Sequence, residues 1–413
     1  MTPARFDPAD LASVLPQGGR TLVLGSSGES LLLADAVMRA GGALGAMTFT
    51  GVFIPGLNTR TYLANPSCRV ETFFMTPELK AAGAAVTFLP LCYGDILARL
   101  RTVPIDAALF MASPPDGDGR CGFGPVVDFL AELWPRIPLR IAHLNPAMPR
   151  THGEAGVPFS EIAAFAEQDQ PLLGFSEAGA DAVAEAIATQ VARWIPDGAT
   201  LQTGLGKIPA AVLRALTGHR ELRVHSGLIA EAVVDLEEAG ALAGGTAVTG
   251  GVAIGSKRLY DAVARPTYRF RPVSFTHSPR VIADIDTFVA INSALEVDLL
   301  GQAYAEVGPG GLMSGPGGAS DFARGAWCAG GLRIIALPAS AAKGTVSRIV
   351  APNAGAGPIS LGRMDTDVVV TEFGAADLRG RSHGARAQSL IAIAPPSHRA
   401  GLEQSWAAFA ARF

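Results

Sequence analysis

The chain has 413 residues, 49% of them hydrophobic and 17% charged, with a formal net charge of -4. Such a chain can bury a large core, and at roughly 100 to 200 residues per domain its length predicts two domains and excludes a disordered or fibrous protein. The mildly acidic balance offers no overall attraction to nucleic acid or to an anionic membrane, so neither is an expected partner.

The N-terminal stretch MTPARFDPADLASVLPQGG lacks the basic start and continuous apolar run of a secretory signal. No later segment approaches about 18 uninterrupted apolar residues, so a cytoplasmic protein is expected. Cys68, Cys92, Cys121 and Cys328 are scattered, with no CxxC pair and no His at metal-ligand spacing. Buried reduced thiols are expected, and no metal.

In chain order, residues 15 to 28 read as a helix end, a Pro-x-Gly turn, a short apolar strand and the loop Gly25-Ser26-Ser27-Gly28, followed by the helical pattern LLLADAVMRAGG. The strands AALFMA (107–112) and RIAHLN (140–145) follow. The acidic stretch from Phe175 to Asp181 then precedes a helix, DAVAEAIATQVARWI, whose apolar residues recur every three or four positions. Next, residues 195 to 206 repeat the earlier order of helix, Pro-x-Gly turn, strand and glycine loop, and IPAAVLRALTG follows as the next helix. RIIALP (333–338) and VVVTEF (368–373) are further strands. Near-continuous apolar strands between helices predict an α/β protein of two related domains with mostly parallel sheets, placed at 1–180 and 181–413.

Glycine clusters after strands can turn backbone N–H groups toward an anion, with a helix N-terminus adding its dipole. Gly204-Leu205-Gly206-Lys207-Ile208-Pro209 and the run from Gly308 to Gly318 are of this kind. Neither is a dinucleotide fingerprint, and no GxxxxGK[ST] loop is present. Polar residues stand among apolar ones in Arg223-Val224-His225-Ser226-Gly227-Leu228-Ile229 and in Asn292-Ser293-Ala294-Leu295-Glu296-Val297-Asp298. Buried polar groups need hydrogen-bond partners, so these serve either a ligand or a structural network, and Glu296 and Asp298 fit both readings equally.

At these residues the chain resembles the acetyl-CoA hydrolase/transferase family, close to its 4-hydroxybutyrate CoA-transferase type. The matching segments include SPPDGDGRCGFG (113–124), QTGLGKIPAAVLRAL (202–216), VHSGLIAEAVVDLEEAG (224–240), FVAINSALEVDLLGQ (288–302), GPGGASDFARGA (315–326) and VVTEFGAADLRGRS (369–382). The resemblance implies two α/β domains with a CoA thioester held between them. It also implies a glutamate that attacks the thioester carbonyl and carries CoA to a second carboxylate. Backbone N–H groups would stabilise the tetrahedral intermediate, each worth about 3 kcal/mol. By position these are Ile208 and either Gly317 or Gly318. Gly204, Gly206 and Lys207 would line the CoA site, and Lys257, Lys343 and Arg348 are candidates for its phosphates.

The departure lies at the nucleophile. Where the family's transferases carry His-Thr-Glu-Met-Ile, this chain has His225-Ser226-Gly227-Leu228-Ile229, so the attacking carboxylate is replaced by glycine. Three readings follow. In the first, water occupies the space left at Gly227 and hydrolyses an acyl-CoA, with His225, Glu231 or Glu296 as base. In the second, CoA passes to a small carboxylate through a relocated carboxylate or a ternary complex. In the third, the chain binds acyl-CoA without turnover. A homodimer is the assembly expected from the general frequency of such assemblies.

Overall fold

The computed structural model describes residues 2–175 and 179–412. The chain divides into two compact units, Met1–Ser176 with Val248–Thr276, and Glu177–Ala247 with His277–Phe413. The expected boundary region 175–181 includes residues 176–178, which lie outside the described residues. Segment 248–276, expected in the second domain, belongs with the first. Ala253 N donates to Pro125 O and Val127 N to Gly251 O, and Val248–Ile254 pairs in parallel with Tyr268–Phe270.

The first unit carries a sheet in the spatial order Ala4–Arg5, Ala164–Glu167, Leu139–Leu144, Ala107–Ala112, Gly19–Val23, Met47–Gly51, Arg69–Thr72 and Val86–Phe88. All of its pairs are parallel. Every residue of Ala107–Ala112 is buried, as a strand covered on both faces requires. Helix Leu31–Ala40 starts where Ser30 accepts the Leu33 amide, and it buries Leu33, Ala34, Ala36 and Val37. Gly25 must be glycine, because a Cβ there would lie 2.1 Å from Val52 O.

In the second unit, the strands Arg223–Ala230, Thr200–Thr203, Phe288–Ser293, Leu332–Ala336 and Val368–Thr371 lie side by side in parallel, and Gly374–Asp377 closes the edge antiparallel. In both units the first strand of the repeated segment, Gly19–Val23 or Thr200–Thr203, pairs in parallel with its successor on one side and with a later strand, Ala107–Ala112 or Phe288–Ser293, on the other. The repeat read along the chain is thus a repeat of topology.

Helix Ala182–Ala192 begins at Asp181, whose carboxylate accepts the Ala184 amide, and buries Ala184, Ile187, Ala188 and Val191. Three cysteines are buried, and burial raises the Cys121 thiol to about 11. Cys328 departs from expectation: it ends the helix Ala319–Cys328 and is exposed. No helix among the described residues is long and apolar enough to cross a membrane.

Candidate active site

In a parallel sheet, ligand-binding loops gather at the carboxyl ends of the strands. Thr200–Thr203 ends there and runs into Gly204–Gly206, after which the helix Lys207–Ala215 begins. Gly206 has φ +124°, which a side chain would resist, and no described atom comes within 4 Å of where a Cβ would stand on it or on Gly204. The first-turn amides of a helix have no intrahelical acceptor. Here Ala210 bonds back to Gly206 O and Pro209 has no N–H, which leaves the amides of Lys207 and Ile208 at the loop.

The neighbouring strand carries His225, Ser226 and Gly227. Ser226 is fully buried and its hydroxyl donates to Thr203 O at 2.9 Å, tying this strand to the start of the glycine loop. Ser226 is therefore a strut. Residues two apart on a strand share a face, so His225 and position 227 point the same way. His225 is 5% exposed, and its ring meets Phe288 edge-on at 6.2 Å.

The space that a side chain at 227 would need holds neither a vacancy nor a carboxylate. A Cβ built on Gly227 would stand 2.4 Å from both Cε1 and Nε2 of His277, and no other described group comes within 3.5 Å. The expected void for a water is corrected accordingly: an imidazole fills it. The same ring borders the second glycine loop, where a Cβ on Gly318 would lie 2.7 Å from Nε2 and Cδ2. Two glycines far apart in sequence thus flank one histidine.

Local sequence explains how His277 gets there. Ser278 caps the helix Pro279–Ala283, with proline in its first turn, and so fixes where the chain turns after His277. That helix packs on Ala319–Cys328. A Cβ on Gly325 would lie 2.7 Å from Ile282, so only glycine allows so close a crossing. Gly318, Phe322 and Gly325 recur at helical spacing and present one face to residues 277–282. The His277 ring lies 4.8 Å from that of Phe322. Burial, and then the nearby His225, lower the His277 pKa to about 3, so the imidazole is neutral at any working pH.

Gly317 has φ +61°, and Gly318 precedes the ten-residue helix Ala319–Cys328, where Phe322 N donates to Gly318 O. The amides from Gly318 onward therefore lie at a helix N-terminus, where negative charge is favoured.

Of the other candidate carboxylates, Glu296 and Asp298 have hydrogen-bond partners of their own. Glu296 lies on a separate small sheet and accepts the Ala356 amide at 2.7 Å. Asp298 accepts from the Leu300, Gln302 and Asn353 amides, from the Gln302 side chain and from the Tyr304 hydroxyl, which makes it a structural hub. Glu231 immediately precedes the helix Ala232–Glu238, with helical backbone angles.

Among the cations, Lys207 pairs with Asp181 at 2.9 Å. Lys257 pairs with Asp261 on its own helix at 2.7 Å, and its side chain is 87% exposed. Lys343 is exposed in a tight turn with φ +58°. Arg348 reaches Leu295 O at 3.3 Å, while its buried Nε has no partner. Among the described residues no group of three His, Cys, Asp or Glu side chains could hold a metal ion.

Sequence reasoning overlooked two features. One is His277, which is apart in sequence from every glycine it touches. The other, in the first unit, is a buried network in which Glu29 accepts from Asn58 at 2.9 Å and from Tyr62 at 2.8 Å, while Ser30 meets His143 at 2.9 Å. Burial raises the Glu29 pKa, and the bonds from Asn58 and Tyr62 oppose that shift. Its only sequence signal was a glutamate following a glycine loop.

Residues 255–406 match the family described as the acetyl-CoA hydrolase/transferase C-terminal domain. The 4-hydroxybutyrate coenzyme A transferase of Clostridium kluyveri is 38% identical over 316 residues, covering 74% of this chain and 73% of that protein. The crystal structure of RipA from Yersinia pestis superposes with a TM-score of 0.91 at 29% identity, covering 97% of this chain and 96% of that one. A 4-hydroxybutyrate CoA-transferase from Porphyromonas gingivalis gives 0.82 at 30% identity, covering 99% and 98%.

Proposed function

Because the chain belongs to the acetyl-CoA hydrolase/transferase family and is an enzyme of acyl-CoA thioesters, we propose that it hydrolyses its substrate to free CoA and a carboxylic acid. One observation carries this reading: position 227, which shares a strand face with His225, is glycine, and a neutral imidazole takes up the side-chain space. A glutamyl anhydride has no side chain from which to form there, so the covalent relay that would deliver CoA to a second carboxylate is missing its first step.

The remaining parts suit an attack by water. The amides of Lys207 and Ile208 at one helix start, and of Gly318 and its successors at another, are fixed dipoles able to steady a thioester oxyanion. Lys207 and Arg348 are the proposed contacts for the CoA phosphates. A second reading is favoured by the relatives named as transferases: a small carboxylate attacks the bound thioester directly in a ternary complex.

The test is to incubate the purified protein with a panel of acyl-CoAs, with and without acetate or succinate, and to follow free thiol and new thioester separately. Free CoA without an acceptor is the expected result. A new thioester formed only when an acceptor is present would establish transfer instead.

A further inference from the structure

We propose that the second unit holds a binding site for a nucleoside phosphate, at the opposite end of its sheet from the glycine loops. A cavity of about 760 Å³ opens there, within the range of about 300 to 1,000 Å³ usual for small-molecule sites. Its walls come from the C-terminal half of the helix Ala319–Cys328, the start of the strand Leu332–Ala336, the approach to Val368–Thr371, the turn after Gly374–Asp377 and the helix His383–Ala392. The two parallel strands begin at the cavity, whereas the glycine loop after Thr200–Thr203 follows the other ends of the same sheet. Gly318 stands at the far end of the helix, whose ten residues at 1.5 Å each span about 15 Å.

Four arginines and two aspartates line the cavity, an excess of positive charge in a chain whose net charge is -4. Arg333 is bonded to Asp367 and Arg379 to Asp377, so these two cations are already neutralised. Among the described residues the Arg324 side chain has no partner, and Arg386 bonds only to the carbonyls of Leu300 and Arg363. Burial, and then the Arg363 guanidinium nearby, make the charge on Arg386 harder to hold. Asp365 is the one lining carboxylate outside these pairs. Guanidinium groups without a carboxylate gain most from an anion that accepts two N–H groups at once, as a phosphate does.

A bare phosphate would leave most of this space empty. Trp327 follows Arg324 by three residues, so the two share a helix face, and its indole is 68% exposed. An exposed indole beside a cation is a platform on which a flat base stacks while its phosphate reaches the arginines. Thr366, on the same wall, adds an independent observation: it is 2% exposed and its hydroxyl has no hydrogen-bond partner. Buried hydroxyls are rarely left so, and an oxygen of a bound nucleotide would supply the missing bond.

Cys328 borders the cavity and is exposed, whereas Cys68, Cys92 and Cys121 are buried, so alkylation of one thiol reports on the site. The experiment titrates the full chain with AMP by calorimetry and follows Cys328 alkylation by mass spectrometry, with inorganic phosphate and CoA as parallel arms. Saturable binding of AMP and slowed alkylation at saturation are expected. Arg324→Ala and Trp327→Ala should each raise the Kd about tenfold or more while leaving acyl-CoA turnover unchanged. Both side chains are exposed, so their removal should leave the fold intact. Protection by CoA that both variants weaken would support the same chemistry and identify the source as the nucleotide end of CoA.

Inorganic phosphate protecting Cys328 as well as AMP does overturns the assignment to a nucleoside. AMP binding that neither variant weakens overturns the site, as does unslowed alkylation at saturating AMP. A Cys328 that resists alkylation without any ligand, in a chain that is dimeric in solution, means that a second copy covers this face and overturns the proposal as well. Binding here is independent of whether the enzyme hydrolyses or transfers the acyl group.

Discussion

Restoring the missing carboxylate is the most direct perturbation, and the geometry says that it fails alone. Gly227 lies in a strand, and its φ is not in the left-handed region, so the backbone accepts a side chain there. The obstacle is His277, whose Cε1 and Nε2 would both lie 2.4 Å from the new Cβ. Unbonded carbons rest at about 3.5 to 4.0 Å, so the ring must retreat by about 1 Å or more. It has little room to do so, with Gly318 and Phe322 packed against it. Overpacking of this kind costs about 1 to 3 kcal/mol. At about 2 to 4 °C per kcal/mol for a body of this size, Gly227→Glu should lower Tm by roughly 2 to 12 °C. Adding His277→Ala removes the obstacle, so the double variant should be more stable than the sum of the single effects by about 1 to 3 kcal/mol. With a carboxylate beside the helix amides, it should also gain CoA transfer to acetate or succinate. Calorimetry on the four proteins, with an assay of new thioester, measures both effects. A Gly227→Glu protein with an unchanged Tm, or a strictly additive cycle, would refute the steric argument.

Three further outcomes follow from groups elsewhere in the fold. Burial raises the Asp128 pKa from 3.8 to about 7, and its Oδ1 has no partner. The folded state therefore holds this proton where the unfolded state has lost it, and stability falls as pH rises from about 4 through 7. Asp128→Asn should gain over the parent across that window by on the order of 4 kcal/mol, read from denaturant unfolding at pH 4 and pH 8; equal gains at both would be contrary. Asp367 accepts two bonds from the Arg333 guanidinium, at 2.9 and 2.7 Å, in a buried pair. Asp367→Ala should destabilise by about 3 to 5 kcal/mol and Asp367→Ala with Arg333→Met by much less, whereas equal losses would contradict a stranded charge. Lys207→Met should raise KM for acyl-CoA about three- to tenfold at constant kcat while shifting stability by less than about 1 kcal/mol, since its pair with Asp181 is exposed. An unchanged KM removes Lys207 from the CoA site.

Periodicity and turn chemistry made much of this protein legible before any coordinates. The strand Ala107–Ala112 matches its apolar run residue for residue, and the helices after both Pro-x-Gly turns fall where the apolar spacing put them. The glycine at 227 was equally plain, because a missing side chain can be seen by its letter. Such features are local: backbone propensity and the burial of one face act over a few neighbouring residues.

Tertiary structure alone decided what that glycine means. Nothing near residue 227 in sequence announces His277, nor that Gly318, Phe322 and Gly325 form the face that holds it, nor that segment 248–276 packs with the first unit. In sequence Glu296 and Asp298 fit a ligand site and a structural network equally, and only the structure shows the backbone partners that each of them has. Which distant side chain fills a given space depends on how separate elements pack together, and close packing lets the His277 imidazole occupy a space that the order of residues along the chain leaves unassigned.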